Sequence, residues 1–179
     1  MEIIKLSEKE IKEKVKKLDD EAHSLVLGYT AGCALAGANP LPFVSDTAII
    51  TPAQVAMLYA IGKKYDLNFE NTALVGLATN VLAANIGKML VTNLIKLVPI
   101  AGSFIGGAIS VGVAGVITYG MGFAFYKYCS SLYEDKLNGK EVDTKISENL
   151  FHIINEQIKN TNWDDIKGDV EKAKPINVK

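Results

Sequence analysis

The chain has no arginine: all 19 of its basic residues are lysines. That removes the forked guanidinium donor that clamps phosphates and carboxylates, and with it an arginine finger. His23 and His152 stand far apart and outside any H-E-x-x-H pattern, and Cys33 and Cys129 share no metal-ligand spacing. There is no G-x-x-x-x-G-K-[ST] phosphate loop, because Gly62-Lys63-Lys64 and Gly87-Lys88-Met89 lack both the earlier glycine and the hydroxyl. The glycine-dense run 102–122 follows no strand and so makes no dinucleotide cradle. A net charge of -1 argues against a dedicated nucleic-acid binder, which needs a basic face. The start MEIIKLSEKE mixes charges of both signs and does not read as a secretory leader, so reduced thiols facing the cytosol are expected. Cys33, in an apolar stretch, reads as an inert buried thiol. The expectation is a protein with no metal, no cofactor and no catalytic residue: not an enzyme.

Charge is also scarce in the middle of the chain. Residues 22–126 carry only Lys63, Lys64, Lys88, Lys96, Asp46, Asp66 and Glu70. The flanks, in contrast, are dense in lysine and carboxylate of nearly equal number. Apolar residues make up 49% of the whole, enough for a sizeable core and too much for a disordered chain.

Periodicity predicts helices throughout and no strand. Ser7-Glu-Lys-Glu10 is a capping box, followed by Ile11, Val15, Leu18, Ala22 and Leu25 at helical spacing. This first helix is amphipathic at its start and apolar all round towards Ala36, so it should begin in water and finish buried. Pro40 and Pro42 break it. Asp46 or Thr51 is then expected to cap a second helix, with Pro52 in its first turn and Gln54, Met57, Leu58 and Ile61 along it to about Tyr65. Gln54 and Asp46 are assigned to core polar bonding and capping rather than to a pocket. A third helix is expected from about Glu70 to Val98, with Asn85, Lys88, Thr92 and Lys96 on one face. Pro99 to Gly102 makes an uncharged turn, and a long fourth helix runs from Ser103 to about Asp135, closed by Asn138-Gly139. A fifth helix through Ile146, Leu150, Ile153, Ile154 and Ile158 and a short sixth after Thr161 complete the set.

The fold class is therefore all-α: a multi-helix bundle around a long glycine-rich apolar helix, with an apolar helical hairpin. Residues 1–137 form the apolar core domain with its amphipathic N-terminal helix. Residues 138–179 supply charged C-terminal helices and a tail that pack on it.

In the fourth helix Gly102, Gly106, Ser110 and Ala114 recur every four residues and form a small-residue groove suited to close helix approach. Gly107, Gly112, Gly115, Gly120 and Gly122 add further such positions. Each glycine inside a helix costs on the order of 1 kcal/mol relative to alanine, so packing or a bilayer has to compensate. Between Lys96 and Lys127 no charge occurs, long enough for a bilayer crossing. Tyr119, Phe123, Phe125, Tyr126, Tyr128 and Tyr133 gather beside Lys127, as a membrane-interface belt or a bundle core would.

Asn39-Pro-Leu-Pro-Phe-Val-Ser-Asp46, Ile50-Thr-Pro-Ala-Gln54, Leu97-Val-Pro-Ile-Ala-Gly102 and the glycine run from Gly106 to Gly120 together resemble the YcjF-related helical domain of unknown function. That module is found in inner-membrane proteins and appended to the C-terminal side of bacterial GTPase domains. The resemblance covers about residues 22–133 and implies an all-helical module, membrane-associated in some members and coupled to a GTPase in others. It implies no catalytic residue. Any GTPase partner is expected to be a separate protein.

Two expectations of different class follow. One is a non-enzymatic module on the cytoplasmic side of a membrane, touching lipid through the third and fourth helices. The other is a soluble cytoplasmic homo-oligomer, a scaffold burying the same surface against a second copy.

Overall fold

The structure, a computed structural model, describes residues 7–37, 44–92 and 105–177. Side chains are placed for 7–35, 52–84, 114–162 and 164–177. Every regular element among the described residues is a helix: α1 (Glu8–Gly37), α2 (Val44–Lys64), α3 (Asn71–Thr92), α4 (Ile105–Leu137), α5 (Glu148–Asn160) and α6 (Trp163–Lys172).

The start of α1 is a closed capping box. Ser7 N donates to Glu10 Oε2 at 2.8 Å, and Glu10 N donates back to Ser7 Oγ at 3.3 Å. The bonds from Ser7 hold the Glu10 carboxyl below the usual carboxylate range. Through Glu21 only Ile11 is buried, whereas Ala22, Val26 and the run from Thr30 to Ala34 are. The helix thus passes from solvent into the core along its own length.

The second helix departs from expectation at its start. It begins at Val44, ahead of Asp46 and Thr51, so neither stands before its first turn and Pro52 lies inside it. A proline there removes one backbone donor, so the carbonyl four residues earlier loses its partner. The helix nevertheless extends to Val44 on the N-terminal side of that single lost bond. Its C-terminus is a Schellman motif: Leu67 N donates to Gly62 O at 2.9 Å and Asp66 N to Lys63 O at 3.1 Å. Asp66 adopts the left-handed conformation this demands, at φ 52. Phe69 folds back over Gly62, where a Cβ would lie 2.9 Å from its ring.

The same device ends α4. Lys140 N donates to Asp135 O and Gly139 N to Lys136 O, both at 3.0 Å, with Gly139 at φ 78. Ser147 then caps α5, its side chain accepting from Leu150 N. Leu150, Ile154 and Ile158, one turn apart, bury the inner stripe of α5 while Ile153 faces out. Asn162 caps α6 through Asp164 N. The chain then crosses α1, where Ile176 N donates to Gly28 O at 3.0 Å.

Register follows from a few contacts. Asp19, early in α1, reaches Lys127, late in α4, while Cys33, late in α1, clusters with Ala114 and Ala53. So α1 runs antiparallel to α2 and α4, and α2 and α4 run parallel. One core holds side chains from all six helices, including Leu150, Ile154, Ile158 and Val170 of the C-terminal pair. Two poles result. At one meet the start of α1, the 65–70 turn and the end of α4. At the other meet the end of α1, the start of α2, the end of α3 and the start of α4.

Gly76, inside α3, is a site where a Cβ would meet nothing within 4 Å. Gly76→Ala is expected to stabilise the protein by about 0.5–1 kcal/mol, because the unfolded chain loses freedom and nothing folded is displaced. A raised denaturant midpoint checks this.

Candidate functional site

The first pole is where charge collects. Asp19 accepts from the Tyr65 hydroxyl at 2.7 Å and from Lys127 Nζ at 3.0 Å. Burial, reinforced by that bond to Asp19, holds the Tyr65 phenol far above its ordinary range. Glu21 pairs with Lys64 at 2.7 Å, Asp66 with Lys136 at 2.7 Å and Asp135 with Lys140 at 2.6 Å. An open cleft of about 330 Å³ lies beside Asp19, lined by Lys12, Lys16, Asp20, His23, Lys127 and Glu134 among others. Its cations and carboxylates interleave, so it presents no field of one sign, and its described lining has no serine, threonine or cysteine. His23 is part of the cleft lining, its Nε2 3.4 Å from the Tyr119 hydroxyl and its ring against Tyr119, Phe123 and Tyr126. Among the described residues no group of three His, Cys, Asp or Glu is placed to hold a metal ion.

Away from that pole, α1, α2 and α4 share a seam of three layers, each with one residue per helix. In the first, Val26 and Met57 close over Gly122, where a Cβ would sit 2.9 Å from Met57 Sδ and from both Val26 methyls. The second is polar: Gln54 Nε2 donates to Thr118 Oγ1 at 3.1 Å, with Thr30 in register between Val26 and Cys33. All three are fully buried. The third is the small cluster Cys33, Ala53 and Ala114. Burial pushes the Cys33 thiol up to about 11, with the neighbouring Thr118 hydroxyl acting the other way, and burial raises Cys129 further. Both are protonated at neutral pH and poor nucleophiles.

Towards the second pole the sequence is poor in charge: residues 34–52 and 85–113 carry only Asp46, Lys88 and Lys96, and Lys96 lies outside the described residues. The last side chain described on α1, Leu35, is 65% exposed. Among the described residues no helix is long and apolar enough to cross a membrane.

The sequence-nominated residues divide accordingly. Pro40, Pro42, Pro99 and Gly102 lie outside the described residues. Gly106 and Ser110 are placed on α4 as backbone only, and Asp46 likewise on the first turn of α2. Ala114, last of the four-residue line, is buried against Cys33 and Ala53, so its own chain covers it. Gln54 is a core residue held by Thr118. The glycines seen to carry close packing are Gly120 against Ile158, Gly122 against Val26 and Met57, Gly28 against Ile176 and Gly62 against Phe69. Gly28 and Gly62 were not singled out by spacing, since each meets a segment arriving from a turn or tail. The aromatics of α4 face inward: Tyr119, Phe125 and Tyr126 are buried, and Phe123 stacks on Tyr119 at 5.6 Å. Here they build a core.

A family model described as "Domain of unknown function (DUF697)" matches residues 2–157, and it is the YcjF-related module that the motifs resemble. No curated protein matches, and no solved structure does.

Proposed function

We propose that this chain, which belongs to the DUF697 family, is a non-catalytic helical module that attaches to the cytoplasmic side of a membrane. Contact is made by the apolar pole, while the charged pole and the C-terminal helices stay in water. The observation that carries this reading is the axial segregation of charge. All seven ion pairs of the described residues involve the start of α1, the 63–66 turn, the end of α4 or the C-terminal helices. In the sequence, residues 34–52 and 85–113 carry only Asp46, Lys88 and Lys96 as charges, and Leu35, the last side chain placed on α1, stands exposed. Exposed apolar surface costs free energy in water and none in lipid, whereas a charge costs several kcal/mol within hydrocarbon, roughly 2.5–3.5 by insertion scales. A bundle so divided has one end suited to each phase. A GTPase supplied by another chain belongs to the proposal through the family resemblance.

Flotation with phosphatidylethanolamine–phosphatidylglycerol vesicles tests it. The full chain is expected to float with the vesicles, and Leu35→Glu to lower the bound fraction about tenfold. A protein that stays in the buffer fraction as a defined oligomer, with or without vesicles, overturns the membrane reading. The same exposed Leu35 would then support the second reading, a homo-oligomeric scaffold that covers this pole with another copy.

A further inference from the structure

We infer that the polar layer of the α1–α2–α4 seam is the binding site of one buried water molecule, held between Gln54 Oε1 and Thr30 Oγ1. Thr118 accepts from Gln54 Nε2 at 3.1 Å, and its hydroxyl neighbours the Cys33 thiol. That leaves the Gln54 carbonyl oxygen and the Thr30 hydroxyl, both buried and both without a partner in the protein. They come from different helices at the same level, since Val26, Thr30 and Cys33 step along α1 as Met57, Gln54 and Ala53 step along α2. Exchanging the amide for its flipped form moves the vacancy to the nitrogen without filling it.

Leaving one such group unpaired lowers a folding equilibrium constant roughly tenfold or more, and there are two. Apolar side chains of like shape would avoid that, and the next layer uses them in Val26 and Met57. A water donating to the Gln54 oxygen and exchanging a bond with Thr30 satisfies both at once. Internal water needs polar partners and room. The layer beyond is built of small side chains, Cys33, Ala53 and Ala114. This site is independent of whether the apolar pole meets lipid.

Crystals of the full chain and of Thr30→Val at high resolution, with denaturant titrations of both, test the assignment. The expected result is a density peak within hydrogen-bond distance of both atoms in the parent, lost in the variant, and a folding equilibrium constant about tenfold lower for Thr30→Val. Were the hydroxyl unpaired instead, valine would be neutral or stabilising, because a desolvated polar group would have been removed. No peak in the parent, or a variant at least as stable as the parent, overturns the assignment.

Discussion

Replacing Gly120 with leucine is expected to dislodge α5 from the bundle and to destabilise the protein by at least about 3 kcal/mol. A Cβ at position 120 would lie 2.6 Å from Ile158 Cγ1, 2.9 Å from Ile158 Cα and 3.2 Å from Ile158 N. A clash with a side-chain tip is relieved by a rotamer change, but a clash with backbone moves the whole helix. Leu150, Ile154 and Ile158 share the stripe that faces α4, so lifting Ile158 loosens all three. Full burial of each such side chain is worth on the order of 1.5–3 kcal/mol, and part of each is lost. Gly120→Ala falls between, because alanine's better helix propensity offsets some of the contact. A lower denaturant midpoint and faster amide exchange in 148–160 are the measurements. An unchanged midpoint with α5 amides still protected would contradict the close approach of these helices.

A second large effect is expected in alkali. Burial pushes the Cys33 thiol up to about 11 and raises Cys129, Tyr29, Tyr119, Tyr126 and Tyr128, while Tyr65 is raised by burial and then by Asp19. In the unfolded chain thiols ionise near ~8.5 and phenols near ~10. The folded state therefore keeps protons that the unfolded chain releases. Stability is fully present below about pH 8.5 and falls as pH rises towards the folded values. Cys33 alone accounts for a loss on the order of 3 kcal/mol by about pH 11, since it is wholly shielded from water. Denaturant midpoints measured from neutral pH upward should decline steadily from about pH 9, and Cys33→Ala should remove the first part of that decline. A flat profile would mean that the thiols and phenols are not enclosed as placed.

Local features of the sequence carried much of the architecture. The Ser7–Glu10 box fixed the first helix start, Asn138-Gly139 the end of α4, and the Leu150–Ile154–Ile158 spacing the inner face of α5. Each depends on residues within two turns of one another, where periodicity and capping chemistry act directly. Pro52 misled for the same reason: a proline is cheapest in a first turn, yet one missing bond did not stop a helix supported on both sides. The candidate site was less legible. Gln54 and Thr118 are 64 positions apart, and Tyr65 meets Asp19 across 46, so no local pattern announces either pair. Spacing every four residues nominated Gly102, Gly106, Ser110 and Ala114, of which only Ala114 has a placed side chain, against Cys33 and Ala53. Gly120 and Gly122, outside that line, pack on the protein's own α1, α2 and α5.

The tail gives one practical consequence. Because Ile176 is anchored over Gly28, about two thirds of the way along α1, a fluorophore or affinity handle fused after this segment emerges at the flank of the bundle, away from both its ends. It would report poorly on which extremity meets a vesicle. A handle joined ahead of Ser7 departs from the ionic extremity instead, and is the better choice for quenching or accessibility mapping of orientation.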